Sequence, residues 1–96
     1  MDIKIGYKTF KIIYQPEVRL NNKLINGYID PQLDEIRISS TSIPSKQEQV
    51  TIHEILHGIE EVYNIKLTEK QIDALATGIL SVAKDNKKLI RKLVKD

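Results

Sequence analysis

The chain has two histidines, and they stand four residues apart in His53-Glu54-Ile55-Leu56-His57. That spacing constrains the fold more than any other feature of the sequence. Positions four apart share one face of an α-helix, so the pair can aim two imidazoles at one ion only if the segment is helical. The flanking residues agree. Ile52, Ile55, Leu56, Ile59, Val62 and Tyr63 recur at three- and four-residue spacing and make one apolar stripe, which places Tyr63 in the core. At about 100° per residue, the histidines fall about 120–160° from the centre of that stripe, at the rim of any core the helix joins. Glu54 lies further round, beside the pair. In this arrangement two histidines hold zinc and the glutamate takes a proton from water. Pro44, followed by a possible Ser45–Glu48 capping box, predicts a helix over residues 45–63. Gly58, with no side chain, allows close packing on its flank.

The bulk properties narrow the alternatives. Ninety-six residues make a single domain with one modest core. Fifteen basic and 13 acidic residues leave a formal charge of +2, too balanced to imply a nucleic-acid partner. Cysteine is absent, which excludes disulfides, thiolate zinc sites and cysteine nucleophiles. Any zinc must be held by histidine and carboxylate. No stretch is long enough to span a bilayer, and the first residues lack the apolar run of a signal peptide; the expected location is cytoplasmic.

The expected fold class is α+β, a small antiparallel N-terminal sheet packed on a C-terminal helical half. Ile3 and Ile5, a turn at Gly6-Tyr7-Lys8, and the alternation of Phe10, Ile12 and Tyr14 predict one hairpin. Tyr28-Ile29, a loop over 30–34 and a strand over 35–39 predict another. Asn21-Asn22 and Asn26-Gly27 are turn pairs. After the motif helix, Thr68 and Gln71 form a possible capping box. Ile72, Leu75, Ala76, Ile79 and Ala83 make a second helical stripe, broken near Asp85-Asn86. A last helix over 87–95 is expected to bury Leu89, Ile90, Leu93 and Val94.

Catalytic zinc takes three protein ligands and keeps an open position. With no third histidine, the remaining donor has to be Asp or Glu. Glu60 and Glu61 sit on the motif helix and read as solvated. Glu69 and Asp73 sit one turn apart on the next helix, on the flank of its stripe. If the two helices are antiparallel neighbours, Asp73 lies about 6 Å off the level of the histidines and Glu69 about 12 Å. Asp73 is therefore expected as the third ligand, with Glu69 the runner-up and Thr77 lining the same cleft.

A hairpin-rich half, a helix carrying HEILHGIEE and a helix of the form LTEKQIDALATGIL together resemble the minimal gluzincin metallopeptidases, in particular the ImmA/IrrE-like zinc peptidases of phages and mobile elements. The resemblance covers nearly the whole chain. It implies a small sheet on the motif helix, His53 and His57 as zinc ligands, Glu54 as general base and a carboxylate on the following helix as third ligand. The acid before Ala74-Leu75-Ala76 is Asp73, shorter than the family's usual glutamate. The resemblance also implies that an extended substrate pairs with the strand over 36–39.

The sequence therefore reads as a zinc-dependent peptidase acting on a peptide or protein, with Glu54 as its base. One alternative is a zinc-stabilised protein-binding module with little turnover. Another is a basic nucleic-acid-binding accessory protein, prompted by Lys84, Lys87, Lys88, Arg91, Lys92 and Lys95. With no aromatic residues interleaved, that basic face reads as solvated, and neither nucleic acid nor membrane is expected as a partner. Tyr14 and Tyr28 are candidate oxyanion donors of lesser weight.

Overall fold

Alternating side chains and turn residues build the N-terminal half of the computed structural model, which describes residues 1–96. Strands β1 (Asp2–Ile5) and β2 (Lys8–Gln15) form a hairpin around Gly6. Gly6 has φ 59°, and a Cβ there would meet Val62 Cγ1 at 2.7 Å, so glycine is required on two counts. Strands β3 (Val18–Leu20) and β4 (Lys23–Ile25) make a separate small hairpin turned by Asn21 and Asn22, both left-handed. Strands β5 (Gly27–Asp30) and β6 (Glu35–Ser39) form the second predicted hairpin. Asp30 Oδ1 accepts the N–H groups of Gln32 and Leu33 in its loop.

The four-stranded sheet has the order β1-β2-β6-β5. Its two hairpins are antiparallel, as expected. The junction between them is not: β2 and β6 are parallel, with Ile12 opposite Ile36 and Tyr14 opposite Ile38. The sheet is therefore mixed. After β2 the chain leaves for the β3–β4 hairpin and returns as β5 one place away, which leaves a slot that β6 fills. Strand β6 consequently has a partner on both sides, and β5 is an edge.

Phe10, Ile12, Ile36 and Ile38 point from the central strands to one face, and helix α1 (Pro44–Tyr63) covers them. Pro44 opens α1 at its first turn. The Ser45–Glu48 capping box does not form, because α1 starts before Ser45 and places that residue inside the first turn. Gln47 instead donates from Nε2 to the carbonyls of Ser40 and Ser42, and Glu48 pairs with Lys84 at 2.8 Å. Gly58 permits the close contact anticipated for it: a Cβ there would come within 2.7 Å of Ile5 Cδ1.

Helix α2 (Glu69–Asp85) packs on the other side of α1 through Leu56, Ile72 and Ala76. The Thr68–Gln71 capping box is complete, with both reciprocal hydrogen bonds present. Ile59 of α1 touches both core clusters, so α1 is the middle layer between sheet and α2. Only Ile72 and Ala76 of the second stripe are buried; Leu75 and Ile79 are exposed, because α2 meets α1 along one line and nothing covers its flank. Helix α3 (Lys87–Val94) buries none of its residues, contrary to expectation, since it packs chiefly on α2. Tyr63 is exposed at the end of α1, beside the Gly6 turn, rather than in the core. No helix is long and apolar enough to cross a membrane.

Two glycines should respond oppositely to alanine. A Cβ at Gly27 would lie 2.8 Å from the Arg37 carbonyl oxygen and 2.8 Å from Val50 Cγ1, forcing β5 away from its neighbours. Gly27→Ala should lower the unfolding free energy by about 1–3 kcal/mol, the usual cost of overpacking. Gly78 sits in α2 with nothing within 4 Å of an added Cβ. Gly78→Ala should therefore stabilise by about 0.5–1 kcal/mol. Urea titration of the two variants measures both signs.

Candidate metal centre

Helix α1 has one flank not covered by the sheet or by α2, and the motif occupies it. His53 and His57 are one turn apart there, their ring centroids 5.0 Å apart. Both turn Nε2 toward the start of α2, where one carboxylate meets them: Glu69 Oε2 lies 3.4 Å from His53 Nε2 and Glu69 Oε1 lies 3.1 Å from His57 Nε2. The three residues offer donor atoms that all lie within 4.8 Å of one another. Tetrahedral zinc with bonds of ~2.0–2.1 Å holds its donors roughly 3.3 Å apart. The two Glu69 contacts, 3.4 and 3.1 Å, match that separation, and two imidazoles with one glutamate is a donor set of catalytic zinc sites, which leave a fourth position open.

The third member of the converging group is Glu69 and not the expected Asp73. Asp73 faces the outer nitrogen of the first histidine, its Oδ1 2.9 Å from His53 Nδ1, and it is not part of the converging group. The expectation rested on pairing two straight, antiparallel helices residue by residue. In the structure the α1–α2 turn folds back so that the first residue of α2, Glu69, reaches the level of the histidines. Asp73, one turn further on, comes to the far side of the His53 ring. Thr77, a further turn along, is exposed and does not line the cleft.

Contrary to expectation, Glu60 is not solvated. It lies three residues after His57 on the same helix face. Its Oε1 is hydrogen-bonded to His57 Nδ1 at 2.7 Å, and its Oε2 accepts the Leu67 N–H at 2.7 Å. The backbone N–H of Leu67 first, and then the His57 ring, hold its carboxyl below the ordinary value of 4.5 against the opposing effect of burial. The sequence signal was the i,i+3 spacing to His57; the Leu67 contact could not be seen before the turn was folded. Glu61, the neighbouring acid, points away and pairs with Lys8 at 2.9 Å.

Each imidazole thus has a carboxylate on Nδ1 and a shared carboxylate on Nε2. A ring that donates Nδ1–H to a carboxylate keeps its Nε2 lone pair for a metal, the usual second layer of a zinc site. Glu54 completes the cluster from below. It is 6% exposed, its Oε2 3.9 Å from His53 Nε2, outside hydrogen-bond reach. Burial pushes its carboxyl above 4.5, with the two histidines pulling the other way and Glu69 adding to the rise. No lysine or arginine forms an ion pair with Glu54, Glu60, Glu69 or Asp73. Four carboxylates around two imidazoles are a setting that favours a cation.

Two hollows flank the motif along the sheet edge. One of about 220 Å³ is lined by Asn26, Gly27, Val50, His53, Glu54 and Asp73, and one of about 400 Å³ by Ile29, Pro31, His57 and Ile65 among others. Both abut β5. The expectation that strand 36–39 pairs with a substrate is corrected by the topology: β6 is hydrogen-bonded on both sides, and the available edge is β5. The largest hollow, about 530 Å³ between Tyr14, Ile52 and Leu80, contains none of the motif residues. Tyr14 and Tyr28 line neither hollow beside the motif. The chain matches no protein-family model, no curated protein and no solved structure.

The ranking of the two acids on α2 can be tested directly. Glu69→Ala should weaken zinc binding by far more than Asp73→Ala in a chelator-competition titration, because only Glu69 reaches the converging nitrogens. The reverse order would restore Asp73 as the donor. Burial of Glu54 yields a second expectation. A carboxyl whose pKa is raised by folding imposes no penalty below its unfolded value, here 4.5, and a growing one as pH rises from there through the folded value. In protein stripped of metal, Glu54→Gln should therefore raise the melting temperature near neutral pH. The gain should shrink as the pH falls from the folded value toward 4.5 and be gone below it. A variant less stable than wild type at neutral pH would contradict the account.

Proposed function

We propose that this chain is a zinc-dependent peptidase in which His53, His57 and Glu69 hold the metal and Glu54 is the general base. The observation that carries the reading is the convergence of two Nε2 atoms and one carboxylate beside a buried glutamate whose pKa is raised. Zinc, when bound, supplies Lewis acidity for a carbonyl and lowers the pKa of water. The chain's own residues supply the rest. Glu54, poised by burial closer to neutral pH than a free carboxylate, takes the proton from the attacking water and returns it to the leaving amine as the C–N bond breaks. Glu60 and Asp73 hold the imidazoles with their Nδ1 atoms turned outward. The free edge of β5 offers backbone groups to an extended peptide, which would run between the two hollows and across the motif.

One feature favours the zinc-stabilised binding module as a second reading. The Glu69 and Asp73 side chains are 71% and 62% exposed, and no element closes over them to exclude water. The two readings part at Glu54. Elemental analysis of protein purified without added metal should find about one zinc per chain, lost in the His53→Ala/His57→Ala double variant. Digestion of a peptide library should then show cleavage by wild type, and Glu54→Gln should remain folded and zinc-loaded while losing at least roughly a hundredfold in rate. Equal cleavage by the two proteins would refute Glu54 as base. Zinc binding without any cleavage would favour the module.

A further inference from the structure

The turn between α1 and α2 is organised around one residue. Asn64 ends α1 in the left-handed conformation, and its N–H goes to the Glu60 carbonyl. The Ile65 N–H goes to the same carbonyl at 3.1 Å. The Leu67 N–H goes to Glu60 Oε2 at 2.7 Å. Three amides of the turn therefore end on Glu60, and the remaining carboxylate oxygen is on the His57 ring at 2.7 Å. Leu67 is two residues before Glu69 and packs against the Leu56–Ile72–Ala76 cluster. Where Glu60 fixes Leu67, it fixes the start of α2, and with it Glu69.

We propose that Glu60 is a positioning residue that sets the donor state of His57 and the placement of Glu69 with one carboxylate, so that the ligands from both helices arrive together. The proposal rests on reading His53, His57 and Glu69 as a zinc site. A carboxylate accepts only, so at Glu60 it requires hydrogen on both partners: the Leu67 amide always has one, and His57 must carry its own on Nδ1. That tautomer leaves Nε2 bare toward the metal. The competing contact of Nε2 with Glu69 is longer, 3.1 Å against 2.7 Å, so the Nδ1–H form is the favoured one. Glutamine at this position would behave differently without altering the shape. Its oxygen would keep the Leu67 amide, and its N–H₂ would face Nδ1. The neutral ring can meet that donor only by moving its proton to Nε2, the metal-facing atom. Glu60→Gln should therefore preserve the turn and impair the ligand.

The test uses the full chain, whose only two histidines make ring-nitrogen spectra simple. In metal-stripped wild type, at a pH where imidazole is neutral, ¹⁵N NMR should show His57 protonated at Nδ1. Glu60→Gln should show it protonated at Nε2, with a melting temperature close to wild type and a zinc affinity at least about tenfold weaker, the lower end for outer-layer partners of metal ligands. Glu61→Gln, whose acid faces Lys8 instead, should change neither the tautomer nor the affinity. Wild-type affinity in Glu60→Gln would overturn the proposal. So would weaker affinity with the tautomer unchanged, which would mark a merely structural effect. If Glu60→Gln does not fold, Nε2–H at His57 in wild type alone would overturn it. Wild type that binds no zinc would sink the metal reading, and the His57 tautomer would still decide the role of Glu60.

Discussion

Everything in this structure depends on how closely α1 lies against the sheet. Gly58 and Gly27 each stand where a methyl group would collide with a neighbour across that interface. With α2 packed on its other side, and Ile59 shared between both clusters, α1 has apolar neighbours over most of its circumference. The motif residues occupy what is left. Glu54 ends up buried because it leans into the seam between helix and sheet edge, while the histidines one residue earlier and three residues later stay partly open. A looser contact would have left Glu54 in water with an ordinary carboxylate pKa.

The site is unfavourable to the fold that carries it. A carboxylate in the seam costs desolvation, and three further acids crowd the same two imidazoles with no lysine or arginine to pair with them. Local features that break the rules for stability while bringing donors together are expected at functional positions. A divalent cation would relieve both problems at once, by adding positive charge beside Glu54 and by giving Glu69 a partner other than two ring nitrogens. Metal binding should accordingly be coupled to stability in this small protein. Few of its residues are buried, and α3 contributes none of them.

The outer carboxylates divide the labour between helices. Asp73 reaches back from α2 to His53, and Glu60 reaches along α1 to His57 and onward to the turn. Each histidine is thus oriented from a different element. The turn around Glu60 is thereby hydrogen-bonded into the His57 end of the cluster.

The sequence by itself determined whatever depends on neighbours along the chain. The spacing of His53 and His57 required a helix with both rings on one flank. Asn21-Asn22 and Gly6 marked turns, which the backbone makes with left-handed residues. Thr68 and Gln71, three apart, closed a capping box that needs nothing from elsewhere in the molecule. What the tertiary structure decided were relations between segments. Whether Glu69 or Asp73 faces the histidines turned on how the connector folds back, a displacement of one helical turn that axial counting along straight helices did not capture. Glu60 looked solvated because its second partner is a backbone amide seven residues away, available only once the turn is made. Strand β6 looked free to pair with a peptide because nothing in its own five residues tells that β2 and β5 will flank it. The apolar stripes of α2 and α3 show the limit from the other side. Periodicity says which residues can be buried together, and only the presence of a facing element decides that they are.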